Sequence, residues 1–212
     1  MTKIVATSDT HCKYPELPEG DIFLHCGDFT FMGLRAARNE VLDNINWLHS
    51  QKHKFKHMVG TPGNHDWDFV SSTLGDNVKL LFNEEIEVGG LRIYGTPNTP
   101  MFCGWAFMHS ETVLEDIFSR MPEGLDILIS HGPPYGFLDK VNGNTQSVGS
   151  KALRRRLLEM KNPPKHVLFG HIHVDEFDNL ESYTEFNGIK FYNCSYVDNS
   201  YKPNGNIVEF RF

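Results

Sequence analysis

Lys3-Ile4-Val5-Ala6-Thr7 is a run of strand length that ends on Ser8-Asp9-Thr10-His11, and this arrangement returns four more times along the chain. Asp21-Ile22-Phe23-Leu24-His25-Cys26 leads into Gly27-Asp28, and Phe55-Lys56-His57-Met58-Val59 leads on to Gly63-Asn64-His65-Asp66. Asp126-Ile127-Leu128-Ile129-Ser130 precedes His131-Gly132, and Lys165-His166-Val167-Leu168-Phe169 precedes Gly170-His171-Ile172-His173. Short apolar runs bounded by turn residues read as buried strands. In an open α/β sheet, side chains at the carboxyl ends of strands converge on one crevice, where ligands bind. Five strand ends carrying Asp, Asn and His therefore predict an α/β protein whose site is assembled from residues far apart in the chain.

The intervening segments fit that class. Leu34 to His53 places Val41, Leu42, Ile45 and Leu48 at helical spacing, and Glu111 to Met121 and Lys151 to Lys161 read as further helices. A short helix is expected over 67–74. Extended runs at Val78 to Phe82 and Glu85 to Val88 lead through Gly89-Gly90 into Leu91 to Tyr94, a hairpin pattern. The Pro- and Gly-punctuated stretch from Gly95 to Trp105 reads as a long loop, a feature often tied to function. Strands return from Tyr183 onward, with Asn187-Gly188 as a tight turn. No repeat, low-complexity segment or linker divides the chain, so residues 1–212 are expected to form a single domain.

The composition narrows the function classes. With 40% hydrophobic residues the chain can build a large core. A net charge of −7 argues against broad binding to nucleic acid or to an anionic membrane, both of which call for a positive surface field. A small phosphate ester remains compatible, because bound dications reverse the local potential. Cys12, Cys26, Cys103 and Cys194 have no C-x-x-C spacing and are too few for a disulfide framework, and Cys12 and Cys26, which abut the motifs, read as small core residues. The chain opens on a strand rather than a basic, apolar leader, and no apolar run approaches ~20 residues. A soluble, cytoplasmic protein is the expectation, as monomer or homodimer.

The chemistry lies in the motifs. Asp9 and His11 flank one residue, so on an extended segment both point the same way and can grip one ion of manganese, iron or zinc type. His171 and His173 repeat that logic with two imidazoles. Asp28 follows a glycine at a strand end, where a carboxylate can bridge two metals. Asn64 offers an amide oxygen, and His131 an imidazole before the rigid turn of Gly132-Pro133-Pro134. Singly, each has a bland reading: a turn aspartate, a capping residue, a solvated histidine. Together they define one donor set. Asp66 either orients His65 or caps the helix expected to begin at Trp67, and the cap is the favoured reading. Arg154-Arg155-Arg156 reads as the solvated face of a helix, and His49, His53, His57 and His166 as surface or strand histidines. His109 and Asn98 are candidates for the wall of the pocket, and Trp105 and Phe107 for stacking on a base.

The order Asp-x-His, Gly-Asp, Gly-Asn-His-Asp, His-Gly, Gly-His-x-His across residues 9 to 173 resembles the calcineurin-like metallophosphoesterase superfamily. His25-Cys26-Gly27-Asp28-Phe29-Thr30, Tyr94-Gly95-Thr96-Pro97, Trp105-Ala106-Phe107, Ser130-His131-Gly132-Pro133-Pro134 and Tyr201-Lys202-Pro203 make it similar to the MPPED-type members, relatives of class III cyclic nucleotide phosphodiesterases. The resemblance implies a four-layer αββα sandwich of two mixed sheets flanked by helices. It implies two metal ions of manganese, iron or zinc type, the first on Asp9, His11, Asp28 and His173 and the second on Asp28, Asn64, His131 and His171. It implies that His65 faces the scissile phosphate rather than a metal, and that a metal-bridging hydroxide attacks phosphorus. The protein phosphatases of the superfamily carry Asp and Arg three and four residues beyond the bridging Asp; here Phe31 and Met32 stand there. Losing that bidentate arginine favours a singly charged diester over a monoester dianion. The expected activity is hydrolysis of small phosphodiesters, cyclic nucleotides included, and the alternatives are a phosphomonoesterase, a nuclease or a scaffold without catalysis.

Overall fold

The computed structural model describes residues 1–31, 38–67, 78–141, 146–173 and 181–212. Two large mixed sheets form its centre. The first has the order β13 (Val208–Arg211), β1 (Lys3–Thr7), β2 (Ile22–His25), β3 (His57–Gly60), β4 (Val78–Leu80), all parallel except β13. The second has the order β11 (Tyr183–Phe186), β12 (Ile189–Asn193), β10 (His166–Phe169), β9 (Ile127–Ser130), β6 (Leu91–Thr96), β5 (Glu84–Val88). Its four central strands are parallel, and the edges β11 and β5 run antiparallel to their neighbours. Central strands β2, β9 and β10 are buried along their whole length, as parallel strands covered on both faces must be. The edge strands β5 and β11 carry glutamates and exposed positions, which blunts them against pairing with another chain.

Strand periodicity assigns each apolar residue to a layer. Ile4, Ala6, Ile22 and Leu24 of the first sheet pack with Ile93, Ile127, Ile129 and Leu168 of the second, forming the core between the sheets. Their alternates point outward. Val5, Phe23 and Met58 pack beneath helix α1 (Arg38–Gln51) through Trp47 and Leu48. Leu128, Val167, Phe169 and Phe191 pack beneath α2 (Glu111–Ser119) and α3 (Lys151–Glu159) through Leu114, Phe118, Leu153 and Leu157. Helix, sheet, sheet, helix is the layering that these three cores dictate.

The helices start where their side-chain chemistry allows. Ser150 Oγ accepts the Leu153 N–H, and the Glu111 carboxylate accepts the N–H groups of Lys151 and Ala152, so donors of the first turn of α3 are satisfied. The three arginines of α3 are tied down: Arg154 donates to the Tyr135 carbonyl, Arg155 pairs with Glu115 and Arg156 with Glu123. The long loop from Gly95 is more ordered than its punctuation suggests. Thr99–Pro100 (β7) and Met108–His109 (β8) pair within it as a short parallel ribbon. The helix expected over 67–74 falls, apart from Trp67, outside the described residues, as does the start of the one expected from Leu34. Among the described residues no helix is long and apolar enough to cross a membrane.

The sheets meet at the end that carries the motifs. Ser8, just past β1, forms a parallel bridge with Ser195, just past β12, so the carboxyl ends of strands from both sheets are stitched together. Leu168 lies at the centre of the core between the sheets with no exposed surface. Leu168→Ala is expected to destabilise the protein by about 2–5 kcal/mol, read from urea denaturation of the metal-free chain. A loss under about 1 kcal/mol would contradict the two-sheet core.

Candidate metal centre

The loops that follow the strands turn abruptly, and their backbones show it. Asp9, His11, Asp28 and His171 all have left-handed φ angles, of 51°, 42°, 58° and 67°. Such conformations cost non-glycine residues about 1–3 kcal/mol each and persist where the surroundings over-determine them. Here they do. The Asp9 carboxylate accepts the His171 N–H at 2.9 Å and the Ser195 hydroxyl at 3.1 Å. Asp28 Oδ1 accepts the His65 N–H at 2.8 Å, and the His11 N–H donates to the Asp28 carbonyl at 3.1 Å. Two glycines permit this closeness. A methyl group on Gly63 would stand 2.2 Å from Asp28 Oδ1, and one on Gly170 would stand 1.9 Å from Asp9 Oδ2.

All eight sequence-predicted residues arrive in one place. His173 Nε2 lies 3.3 Å from Asp9 Oδ1 and 3.3 Å from His11 Nε2. Asp28 Oδ2 stands between the two halves, 3.8 Å from His11 Nε2 and 3.4 Å from His131 Nε2. His131 Nε2 is 2.8 Å from Asn64 Oδ1, and the His131 and His171 rings meet at 4.9 Å. Three groups whose donor atoms lie within 4.8 Å of one another result: Asp9, His11 and His173; Asp28, His131 and His171; and His11, Asp28 and His65. Carbonyl oxygens only accept, so His11 Nδ1 donates to Thr30 and His131 Nδ1 donates to Cys26, each at 3.0 Å. Those bonds orient the Nε2 atoms of both rings inward. Inward nitrogen lone pairs, two carboxylates and an amide oxygen are the donor set of a manganese, iron or zinc site, so the residues present fit a pair of such ions.

The electrostatics point the same way. Burial pushes His11 down to about 4 and His171 to about 3, so both rings are neutral with a lone pair to offer. Burial also opposes charge on Asp28, but the His131 ring beside it prevails and holds the carboxyl well below its usual range. For Asp9, His173 plays that part against burial, again holding the carboxyl low. His131 in turn is raised to about 9, because Asp28 outweighs its desolvation.

Other expectations need correction. The helix expected after Asp66 lies, apart from Trp67, outside the described residues; among the described residues the Asp66 carboxylate accepts from the N–H groups of Gly63, Phe29 and Thr30 at 2.8–3.1 Å and from the Thr30 hydroxyl at 3.0 Å. It clamps the Asn64 loop to the Asp28 loop, and burial followed by the Asp28 charge raises it to about 6. Asn98 is buried away from the cleft, donating to Asn83 Oδ1 at 2.6 Å and anchoring the long loop. Phe107 leans on Phe82, and neither it nor His109 lines the cleft. His166 is a strand histidine, as expected, buried at the start of β10 and stacked on Phe210 at 4.4 Å. Trp105 does line the cleft, its ring 4.4 Å from that of His65. His65 Nδ1 donates to the Phe31 carbonyl at 2.7 Å, which leaves Nε2 for the site.

Two contributors receive no role from the sequence, although Tyr201 lies in a motif of the resemblance. Ser195 fixes Asp9 from 186 residues away. Tyr201 stands edge-on to His11 and His173, with centroids 4.9 and 5.2 Å apart. Together with Phe102, Cys103, Met108, Val141 and Asn199, these motifs wall a cleft of about 320 Å³, sufficient for a small ligand.

Two mixed sheets between helices, with carboxylates and imidazoles gathered at their strand ends, define a protein of the metallophosphoesterase class. A model of the calcineurin-like phosphoesterase family matches residues 2–175, and the chain belongs to that family of hydrolases. It is 36% identical over 204 residues to the human metallophosphoesterase domain-containing protein 1, covering 81% of this chain and 60% of that protein. It is 32% identical over 214 residues to a UPF0046 protein of Caenorhabditis elegans, covering 84% of this chain and 51% of the relative. The chain thus spans less than two thirds of either. A solved structure from Staphylococcus aureus, provisionally named a 5′-nucleotidase, shares the fold at 15% identity and a TM-score of 0.52, over 90% of this chain and 48% of that one.

Gly63→Ala tests the close packing directly. The added methyl group must displace Asp28 or His131, so manganese affinity is expected to fall by about tenfold to a hundredfold, the usual effect of disturbing a ligand's support. Titration of the purified variant with manganese checks this, and an unchanged affinity would show that the loops have room to spare.

Proposed function

We propose that this chain is a dinuclear metal-dependent phosphodiesterase acting on small diesters, with cyclic nucleotides as the natural class to test first. In this reading Asp9, His11, Asp28 and His173 hold one metal and Asp28, Asn64, His131 and His171 the other. The placement of Asp28 Oδ2 within 4 Å of an imidazole from each half supports the shared role. When bound, such a pair polarises phosphoryl oxygens and lowers the pKa of water at the site. Two carboxylates against two dications leave the centre positive, which suits an anionic substrate.

The observation that carries the diester reading is the cleft wall. Among its described residues there is no lysine or arginine. A monoester dianion calls for more positive charge than a diester monoanion, and among the described residues no lysine or arginine of the wall supplies it. Phe31 occupies one of the two positions where the related phosphatases place charged residues; Met32, at the other, lies outside the described residues. With manganese supplied, bis-p-nitrophenyl phosphate should be hydrolysed with a kcat/KM at least about tenfold above that for p-nitrophenyl phosphate. The reverse order sinks the diester reading and favours the monoesterase. No turnover at full metal occupancy favours a scaffold.

His65 is assigned the leaving group. Its Nδ1 is committed to Phe31, so a proton given up to the departing oxygen must come from Nε2, and the Trp105 ring lies against the imidazole at 4.4 Å. General acid catalysis contributes about 10²–10⁴-fold and matters most for basic leaving groups. His65→Ala should therefore keep both metals yet lose far more kcat/KM on a cyclic nucleotide than on bis-p-nitrophenyl phosphate, whose p-nitrophenolate needs no proton. Equal losses on the two substrates would reject the acid role. Loss of a metal would make His65 a ligand instead.

A further inference from the structure

Tyr201 stands at the edge of the Asp9, His11 and His173 group, and its hydroxyl has no part in the reading above. The ring faces the cleft, edge-on to both histidines and to Phe31, whose centroid is 4.9 Å away. Its backbone is left-handed, with φ 57°. A bulky aromatic residue adopts that conformation only when its surroundings impose it. The imposition is visible in the hydrogen bonds. The Asp198 carboxylate accepts the N–H groups of Ser200 and Lys202, each at 2.8 Å. The Tyr201 N–H donates to the Asp198 carbonyl at 2.9 Å, and the Asp198 N–H donates to the Lys202 carbonyl at 2.8 Å. Val197 and Pro203 close the base of the turn as an antiparallel bridge. A turn fastened at so many points, around a strained residue, holds the Tyr201 ring against the metal-type residues rather than in solvent.

A phosphoryl group in this cleft brings oxygens that need donors, and the described wall offers no lysine or arginine. The amide oxygen of Asn64 is turned to His131, His65 Nδ1 is engaged with Phe31, and His65 Nε2 is assigned to the departing oxygen. A phenol is a neutral donor of the right kind, rigid and placed beside the metal-type group. We propose that Tyr201 is a catalytic residue, its O–H donating a hydrogen bond to a non-bridging phosphoryl oxygen where related phosphatases use a guanidinium. This inference rests on the phosphoester reading of the cleft. It deepens that reading, because an uncharged donor stabilises a diester monoanion without demanding a second negative charge.

The test compares wild type, Tyr201→Phe and Tyr201→Ala as full chains reconstituted with manganese. Three quantities are read: metal content, kcat/KM on bis-p-nitrophenyl phosphate, and the Kd of inorganic phosphate by calorimetry. Tyr201→Phe removes one oxygen and keeps the ring. It is expected to retain both metals, to lose about tenfold to a hundredfold in kcat/KM and to weaken phosphate binding to a similar degree, as for a hydrogen bond to a charged group. Tyr201→Ala should bind phosphate no better than Tyr201→Phe. Wild-type values in Tyr201→Phe, with losses only in Tyr201→Ala, would overturn the proposal and leave a packing role. Metal loss from Tyr201→Phe would overturn it too. A wild type that binds phosphate in a Tyr201-dependent way yet hydrolyses no ester would uphold the donor and refute the phosphodiesterase. One that loads two metals and binds no phosphate would refute both.

Discussion

Two buried carboxylates facing a set of imidazoles are the constraint on which the rest of the structure depends. Asp9 has no exposed surface and Asp28 has 2%. A carboxylate removed from water costs several kcal/mol unless charge and hydrogen bonds replace the solvent. Every replacement is present: backbone N–H groups from His171 and His65, the Ser195 hydroxyl, and the rings of His173 and His131. The left-handed turns, the glycines at 63 and 170 and the Asp66 clamp all serve to bring those partners close enough. The αββα layers supply the frame, since carboxyl strand ends from both sheets meet only at this end.

Much of this was legible in the chain. The five strands that carry motifs end within a residue or two of where their apolar runs end, because a parallel strand covered on both faces can hold only apolar residues until it emerges. Alternation then fixes which residues share a core, so that Val5 and Phe23 pack against α1 while Ile4 and Leu24 meet the second sheet. The convergence of the eight motif residues followed from their strand-end positions. Their roles on metal stand on resemblance and chemistry.

What was not legible depends on long-range partners. Asp66 precedes a stretch with a helical pattern, so a cap is the local reading. The acceptor work it does among the described residues includes Phe29 and Thr30, 37 and 36 residues away. Asn98 sits in a loop punctuated like a functional one, yet its amide faces Asn83. Ser195 and Tyr201 sit in no periodic pattern that assigns them a role, because their partners Asp9 and His11 lie at the other end of the chain. Hydrogen-bond partners at such separations leave no periodic trace in a sequence.

The bridge from Ser8 to Ser195 ties the end of β1 to the end of β12, and its consequence lies in how the chain comes to be folded. His171 and Asp9 are 162 residues apart in sequence, and Ser195 and Asp9 are 186 apart. Contacts that span so much chain carry a high loop-closure cost and form late. No fragment that lacks either sheet contains a complete donor set. Cation uptake is thereby coupled to completion of the whole fold, and an ion that binds only the finished arrangement stabilises it by about 2.7 kcal/mol at a hundredfold excess over its Kd. The metal supply would then set how long the assembled chain survives, as well as whether it is active.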